Sequence, residues 1–256
     1  MFFTETTFVG IDPSAGKRPF VYSAIDYELN LLAISHGSID DVLAFAAGQH
    51  QAVIGVCAPR RLNQGLMDDE DFRLELNPAP APGRWRDHRV AEYLLCQRNI
   101  RLPRTPQNIE DAPGWVRMGF QLYDRLEEIG YRQFSEDHDE CIYLEVYPHA
   151  SYCALLGILP FKKGTIEGRM QRQLVLYSQN MSIPNPMRVL DEITRFRLLN
   201  GVLPLAKLYE PEQLDSLVAA FTAWIAATKP DEISRIGNIN EGQIIIPKRV
   251  LKEHYS

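Results

Sequence analysis

The residues best suited to chemistry in this chain are acids placed where an apolar element ends or is otherwise free of charge. Asp12 closes the apolar run Thr7 to Ile11. Glu145 sits inside Ile142-Tyr143-Leu144-Glu145-Val146-Tyr147, where a carboxylate is expensive unless it meets a cation, a metal or strong hydrogen-bond donors. Asp215 is the only charged residue between Leu214 and Ala227. Carboxylates gathered from two strands and a helix repel one another, and a hard divalent cation relieves the repulsion because Mg²⁺ and Mn²⁺ favour oxygen ligands. Such a cluster holds one or two ions about 3.5–4 Å apart and suits phosphodiester cleavage, by activating water and stabilising the leaving oxygen. In that scheme Asp12 holds or bridges the metals, Glu145 completes the coordination, and Asp215 binds on the water or leaving-group side. Each acid also has a plainer role. Asp12 before Pro13 can start a turn, Asp215 can answer the positive end of its helix, and Glu145 can face outward on an edge strand.

Cations that could meet a phosphate fall in two stretches. Arg84-Trp85-Arg86-Asp87-His88-Arg89, continued by Arg98, Arg101 and Arg104, sets six arginines against Asp87 and Glu92. With Trp85 and Tyr93 among them, they suit phosphate contacts and base stacking; the alternative is a solvated or ion-paired surface. Lys162 and Lys163, with Arg169 and Arg172, form a second cluster able to bring charge to a scissile phosphate. Lys17, in the turn after Asp12, is a further candidate, although that turn is not a phosphate loop: five residues separate its glycines and Arg18 follows the lysine. His149 could shuttle protons or simply line the helix after Pro148. The run Glu136-Asp137-His138-Asp139-Glu140 reads as a solvated loop. No G-x-S-x-G elbow points to acyl transfer.

The elements that must position these residues begin with three short strands, Thr7 to Ile11, Phe20 to Ile25 and Leu29 to Ser35, whose brief connections demand antiparallel pairing. Ser38, with Asp41 three residues on, opens a helix that ends at Gly48. Ala52 to Val56 is continuously apolar, as expected of a strand buried on both faces and parallel to the first. Residues 60–135 change character, with a Pro-rich stretch and two helical patterns, and read as an insertion packed on the sheet. Its second helix carries Trp115, Leu122, Leu126 and Ile129 on one face and stops at Gly130. A strand at Ile142 to Val146 follows, then helical stretches near Ala150–Leu156, Thr165–Ser178 and Pro186–Leu199. Pro211 opens the clearest helix, which runs to about Thr228 and is so rich in alanine that it must be enclosed on most sides. A turn and one short strand occupy Glu241 to Pro247.

At 256 residues, with 45% hydrophobic and 23% charged residues, the chain is an ordinary globular protein, long enough for one large α/β domain. A net charge of −6 excludes a generic polyanion-coating surface, so nucleic-acid binding has to be local. Cys57, Cys96, Cys141 and Cys153 form no C-x-x-C pair, which favours reduced thiols over a zinc site. No leader or membrane segment is readable, and a cytoplasmic location is expected.

The order Phe8-Val9-Gly10-Ile11-Asp12, Val53-Ile54-Gly55-Val56-Cys57-Ala58-Pro59, Leu144-Glu145-Val146-Tyr147-Pro148 and Asp215-Ser216-Leu217-Val218-Ala219-Ala220, then Glu241-Gly242 and Ile246-Pro247, resembles the domain of unknown function family 429, a set of predicted RNase H-like nucleases. The resemblance implies an RNase H-like mixed sheet, three antiparallel strands and then parallel ones, with helices on both faces. It also implies a Mg²⁺- or Mn²⁺-dependent phosphodiesterase site in which Asp12, Glu145 and Asp215 stand where that family carries its acids. Where the family usually has an aspartate in the fourth strand, this sequence has Cys57; a neutral thiol cannot replace a carboxylate as a hard-metal ligand, so the implied site is weakened at one metal position. Two alternatives stand beside the nuclease: a catalytically silent nucleic-acid-binding protein of the same fold, and an ATP-dependent phosphotransferase of the actin and sugar-kinase type.

Overall fold

Apolar alternation sets the first half of the sheet. In a computed structural model describing residues 5–14, 18–81, 83–135 and 140–256, β1 (Thr6–Asp12), β2 (Phe20–Ile25) and β3 (Leu31–Gly37) form the expected antiparallel meander, with Phe8 opposite Ile25. β3 starts later than its apolar residues suggest. The Asp26 carboxylate accepts the backbone N–H groups of Glu28 and Asn30, and Leu29 takes the left-handed conformation, so the turn extends to Asn30. Ser38 caps α1 (Ile39–Ala47) reciprocally with Asp41, as read, and Gly48 ends it. β4 (Gln51–Val56) then enters parallel to β1.

Between β4 and β6 lie α2 (Glu70–Glu75), α3 (Val90–Gln97), α4 (Gly114–Glu128) and the two-residue β5 (Arg132–Gln133). α4 does more than decorate the sheet, since Leu122, Tyr123 and Leu126 pack with α1 and the inward residues of β1 and β4 in one core. Ile129, expected on its apolar face, is past the helix end and exposed. β6 (Cys141–Val146) pairs parallel with β4, and α5 (Pro148–Leu156) and α6 (Ile166–Ser178) follow. The stretch read as one helix near Pro186–Leu199 is two, α7 (Arg188–Glu192) and α8 (Arg195–Leu199). Thr194 separates them by capping α8 through the Arg197 N–H. α9 (Pro211–Thr228) is the long buried helix. β7 (Ser234–Asn238) and β8 (Gly242–Ile246) close the sheet as a hairpin, β8 parallel to β6. β7 escapes a sequence reading because Ser-Arg-Ile-Gly-Asn has a single large apolar residue and no alternation.

The sheet order is β3-β2-β1-β4-β6-β8-β7, the RNase H-like mixed α/β architecture. Alternation gives each face its own core. Phe8, Val53, Leu144 and Val146 pack against Leu217, Val218 and Phe221 of α9, whereas Val9, Ile11, Ile54 and Val56 pack against α1 and α4. The approach of α9 is unusually close. A Cβ on Gly10 would stand 1.8 Å from the Ser216 carbonyl oxygen, and one on Gly55 would stand 2.5 Å from that of Ala219. Among the described residues no helix is long and apolar enough to cross a membrane, and all four cysteines are free.

Candidate active site

Because α9 lies on Gly10, its first turns stand over the carboxyl end of β1, and Asp215 meets Asp12 there. Open α/β sheets bind ligands outside the carboxyl ends of their strands. The Asp12 carboxylate accepts the Ser14 N–H at 2.8 Å, and Asp215 accepts the Lys163 ammonium at 2.8 Å. Burial and the neighbouring Asp215 push the Asp12 carboxyl up to about 7. Burial also raises Asp215, against the pull of Lys163. Among the described residues, Asp12 Oδ2 and Asp215 Oδ1 accept no hydrogen bond from the protein. Ser14, in the left-handed conformation and 8% exposed, has a hydroxyl with no partner among the described residues.

Cys57 completes this cluster. Its N–H donates to the Ile11 carbonyl at 2.8 Å, and its thiol lies 3.6 Å from the Asp215 carbonyl oxygen. Burial and the two aspartates push that thiol well above its ordinary range, so it stands neutral beside them.

Glu145 is elsewhere. Val56 is opposite Ile11 on one side and Glu145 on the other, so these three share a face, and Asp12, one residue on from Ile11, projects from the opposite face. Two acids converge where the sequence suggested three. Glu145 is instead clamped by Arg89, whose two Nη atoms lie 2.6 and 3.1 Å from its carboxylate oxygens, with the Arg60 N–H at 2.9 Å. Arg89 also pairs with Glu92 at 3.1 Å and reaches the Glu241 carbonyl at 2.9 Å. Glu241 accepts the N–H groups of Gln64 and Val90. Buried charges require such partners. Glu145 therefore has the cation that an apolar strand demands, but that cation is an arginine.

The same pairing corrects the expectation for Arg89, which at 2% exposure with its guanidinium occupied cannot contact a phosphate. Arg84 and Arg86 remain at the surface, Arg84 over the Trp85 ring and Arg86 3.4 Å from Asp68. Arg169 and Arg172 are buried and hold backbone carbonyls. Lys162 is exposed beside Lys163. Lys17 and residues 136–139 lie outside the described residues. His149 packs near Cys153, and burial together with Arg172 and Lys163 pushes its imidazole down to about 4; neutral at pH 7, it is a poor shuttle there. Ser14 escaped the sequence reading, because its unpartnered hydroxyl comes from a left-handed backbone conformation and not from a residue pattern.

No group of three or more His, Cys, Asp or Glu side chains is placed to hold an ion among the described residues. The donor set at Asp12 fits less than the sequence suggests: among the described residues, one free oxygen on each aspartate and the unpartnered Ser14 hydroxyl. That suffices for a single Mg²⁺-type ion that keeps most of its waters or takes phosphate oxygens, not for a two-metal cluster.

Among known families, the one described as "Protein of unknown function (DUF429)" matches residues 10–239. No curated protein and no solved structure matches the chain.

Proposed function

This chain belongs to the DUF429 family, a family of unknown function, and from its site we propose that it is a phosphodiesterase acting on nucleic acid with one Mg²⁺ or Mn²⁺ ion. The observation that carries the reading is the pairing of Asp12 with Asp215 beside Lys163 at the end of β1, with the Asp12 carboxyl near 7. Two carboxylates forced together this strongly are a store of negative charge that a cation would relieve. Asp12 and Asp215 would hold the ion through their free oxygens; when bound, it supplies Lewis-acid stabilisation to a phosphoryl oxygen. Lys163 keeps Asp215 oriented and sets its ammonium, half exposed, where a phosphate can approach. Ser14 fixes Asp12 through its N–H and offers its hydroxyl to a ligand. Nucleic acid is favoured as the polymer by Lys162, Arg84 and Arg86 at the surface, and the four free cysteines accord with the cytoplasm.

The catalytically silent nucleic-acid binder is the second reading, favoured by the neutral Cys57 thiol and by Lys163, which already answers Asp215. Incubating a labelled oligonucleotide with the chain and Mn²⁺ separates the two. Cleavage that disappears in Asp12→Asn supports the enzyme; binding without cleavage supports the silent form.

A further inference from the structure

Phe161 is held in an unusual setting, because its backbone is fixed while its ring is left in water. Its N–H donates to Gln171 Oε1 at 2.8 Å, and its carbonyl accepts Arg172 Nη1 at 2.7 Å. Arg172 is itself buried, stacks over Tyr152 at 5.3 Å and also binds the Gly168 carbonyl. The next residue is clamped as well: the Lys162 carbonyl accepts the Thr165 N–H and hydroxyl, and it lies where a Cβ on Gly168 would stand, at 2.0 Å. Ties at this many points fix the course of the loop's backbone, and the Phe161 ring stands on it 58% exposed. Two residues later Lys163 meets Asp215, and Lys162 between them is exposed. An aromatic face, two ammonium groups and an acid pair thus follow one another along one pinned segment and its contact.

Resting on the phosphodiesterase reading, we propose that Phe161 is a base-stacking platform and that the substrate is single-stranded nucleic acid. A ring stacked on an unpaired base leaves that nucleotide's phosphates to Lys162 and Lys163, the combination by which proteins hold single strands without reading sequence. A duplex keeps its bases stacked on one another and offers the ring nothing. The pinning matters energetically, since a pre-ordered loop loses little freedom on binding.

Fluorescence anisotropy with a labelled single-stranded oligonucleotide at low salt tests this, comparing the parent with Phe161→Ala and Phe161→Tyr and repeating the titration with an abasic strand of equal length and with a duplex. The expected result is about five- to 150-fold weaker binding by Phe161→Ala, corresponding to about 1–3 kcal/mol for one stacked base, with Phe161→Tyr near the parent. The parent should prefer the single strand to both the abasic strand and the duplex, and Phe161→Ala should lose the preference over the abasic strand. Parent-like binding by Phe161→Ala, or a parent that binds abasic strand or duplex as tightly, overturns the platform even if Asp12-dependent cleavage is observed. Phe161-dependent binding without any Mn²⁺ cleavage leaves the platform standing and removes the phosphodiesterase. A parent that binds none of the three removes both.

Discussion

Gly10 and Ser216 are in backbone contact: the helix carbonyl of Ser216 occupies the space where residue 10 would carry a side chain. This contact, with its counterpart at Gly55, sets Asp215 over the end of β1. Gly10→Ala should push α9 off the sheet and cost at least 2–4 kcal/mol, since neither the strand nor the helix backbone can yield locally. Urea denaturation measures the loss; a variant within 0.5 kcal/mol of the parent by the usual surface range would mean that α9 is not seated on β1.

Asp12 gives the chain a distinctive pH dependence. Its carboxyl titrates at about 7 when folded and near 3.9 when unfolded, so between those values the folded chain holds the extra proton. Stability from this group is therefore present at low pH and falls as pH rises from about 4 through 7. Asp12→Asn should remove that slope and stabilise the chain at pH 8 by roughly 1–3 kcal/mol. Thermal melts of both proteins at pH 5 and pH 8 check it: a variant without relative gain at the higher pH contradicts the raised carboxyl.

Replacing Arg89 separates structure from binding. Arg89→Met strands Glu145 and Glu92 without their cation in a buried site and should destabilise by about 3–5 kcal/mol. Adding Glu145→Leu should recover part of that loss. Denaturation curves for the single and double variants decide the matter, and a stable single variant with weakened nucleic-acid affinity would return Arg89 to the phosphate-contact role.

Cys57→Asp tests the missing ligand. A third carboxylate on the Asp12 face should strengthen Mn²⁺ binding, most clearly above pH 7 where Asp12 is ionised, and should lower stability in the absence of metal. Calorimetric titration of parent and variant reads the binding and thermal melts without metal read the stability; equal or weaker Mn²⁺ binding by a folded variant shows that Cys57 is only a small core filler.

Arg84 and Arg86, still exposed, carry the remaining electrostatic expectation. Changing both to alanine should flatten the salt dependence of oligonucleotide binding, because each lost phosphate contact removes counterion release. An unchanged slope in a salt series assigns them to ion pairing with neighbours such as Asp68.

The parts of this molecule legible in its sequence are those fixed by short-range chemistry. Ser38 and Asp41 announce α1, Pro211 and the alanines announce the enclosed α9, and the parallel entry of β4 puts Cys57 beside Asp12. Glu145 shows where such reading stops. Its charge demands a partner, but whether that partner is a metal or Arg89 is decided by strand register, and a shift of one residue would reverse the face it points to. Arg89 looks like any member of a basic run because its partners are tertiary. Ser14 gave no pattern, since its orphan hydroxyl arises from a backbone conformation.

The bracing around Arg89 also dictates an order of assembly. Its partners Glu145 and Glu241 stand 56 and 152 residues further along the chain, and Gln64 waits 177 residues for the same glutamate. Until β8 is delivered, the segment following β4 holds amides and a guanidinium that only bulk water can satisfy, so it cannot reach its final packing early. Closing contacts this distant is slow. Arg89 and Gln64 therefore reach their final partners only once β6 and the β7–β8 hairpin have joined the sheet.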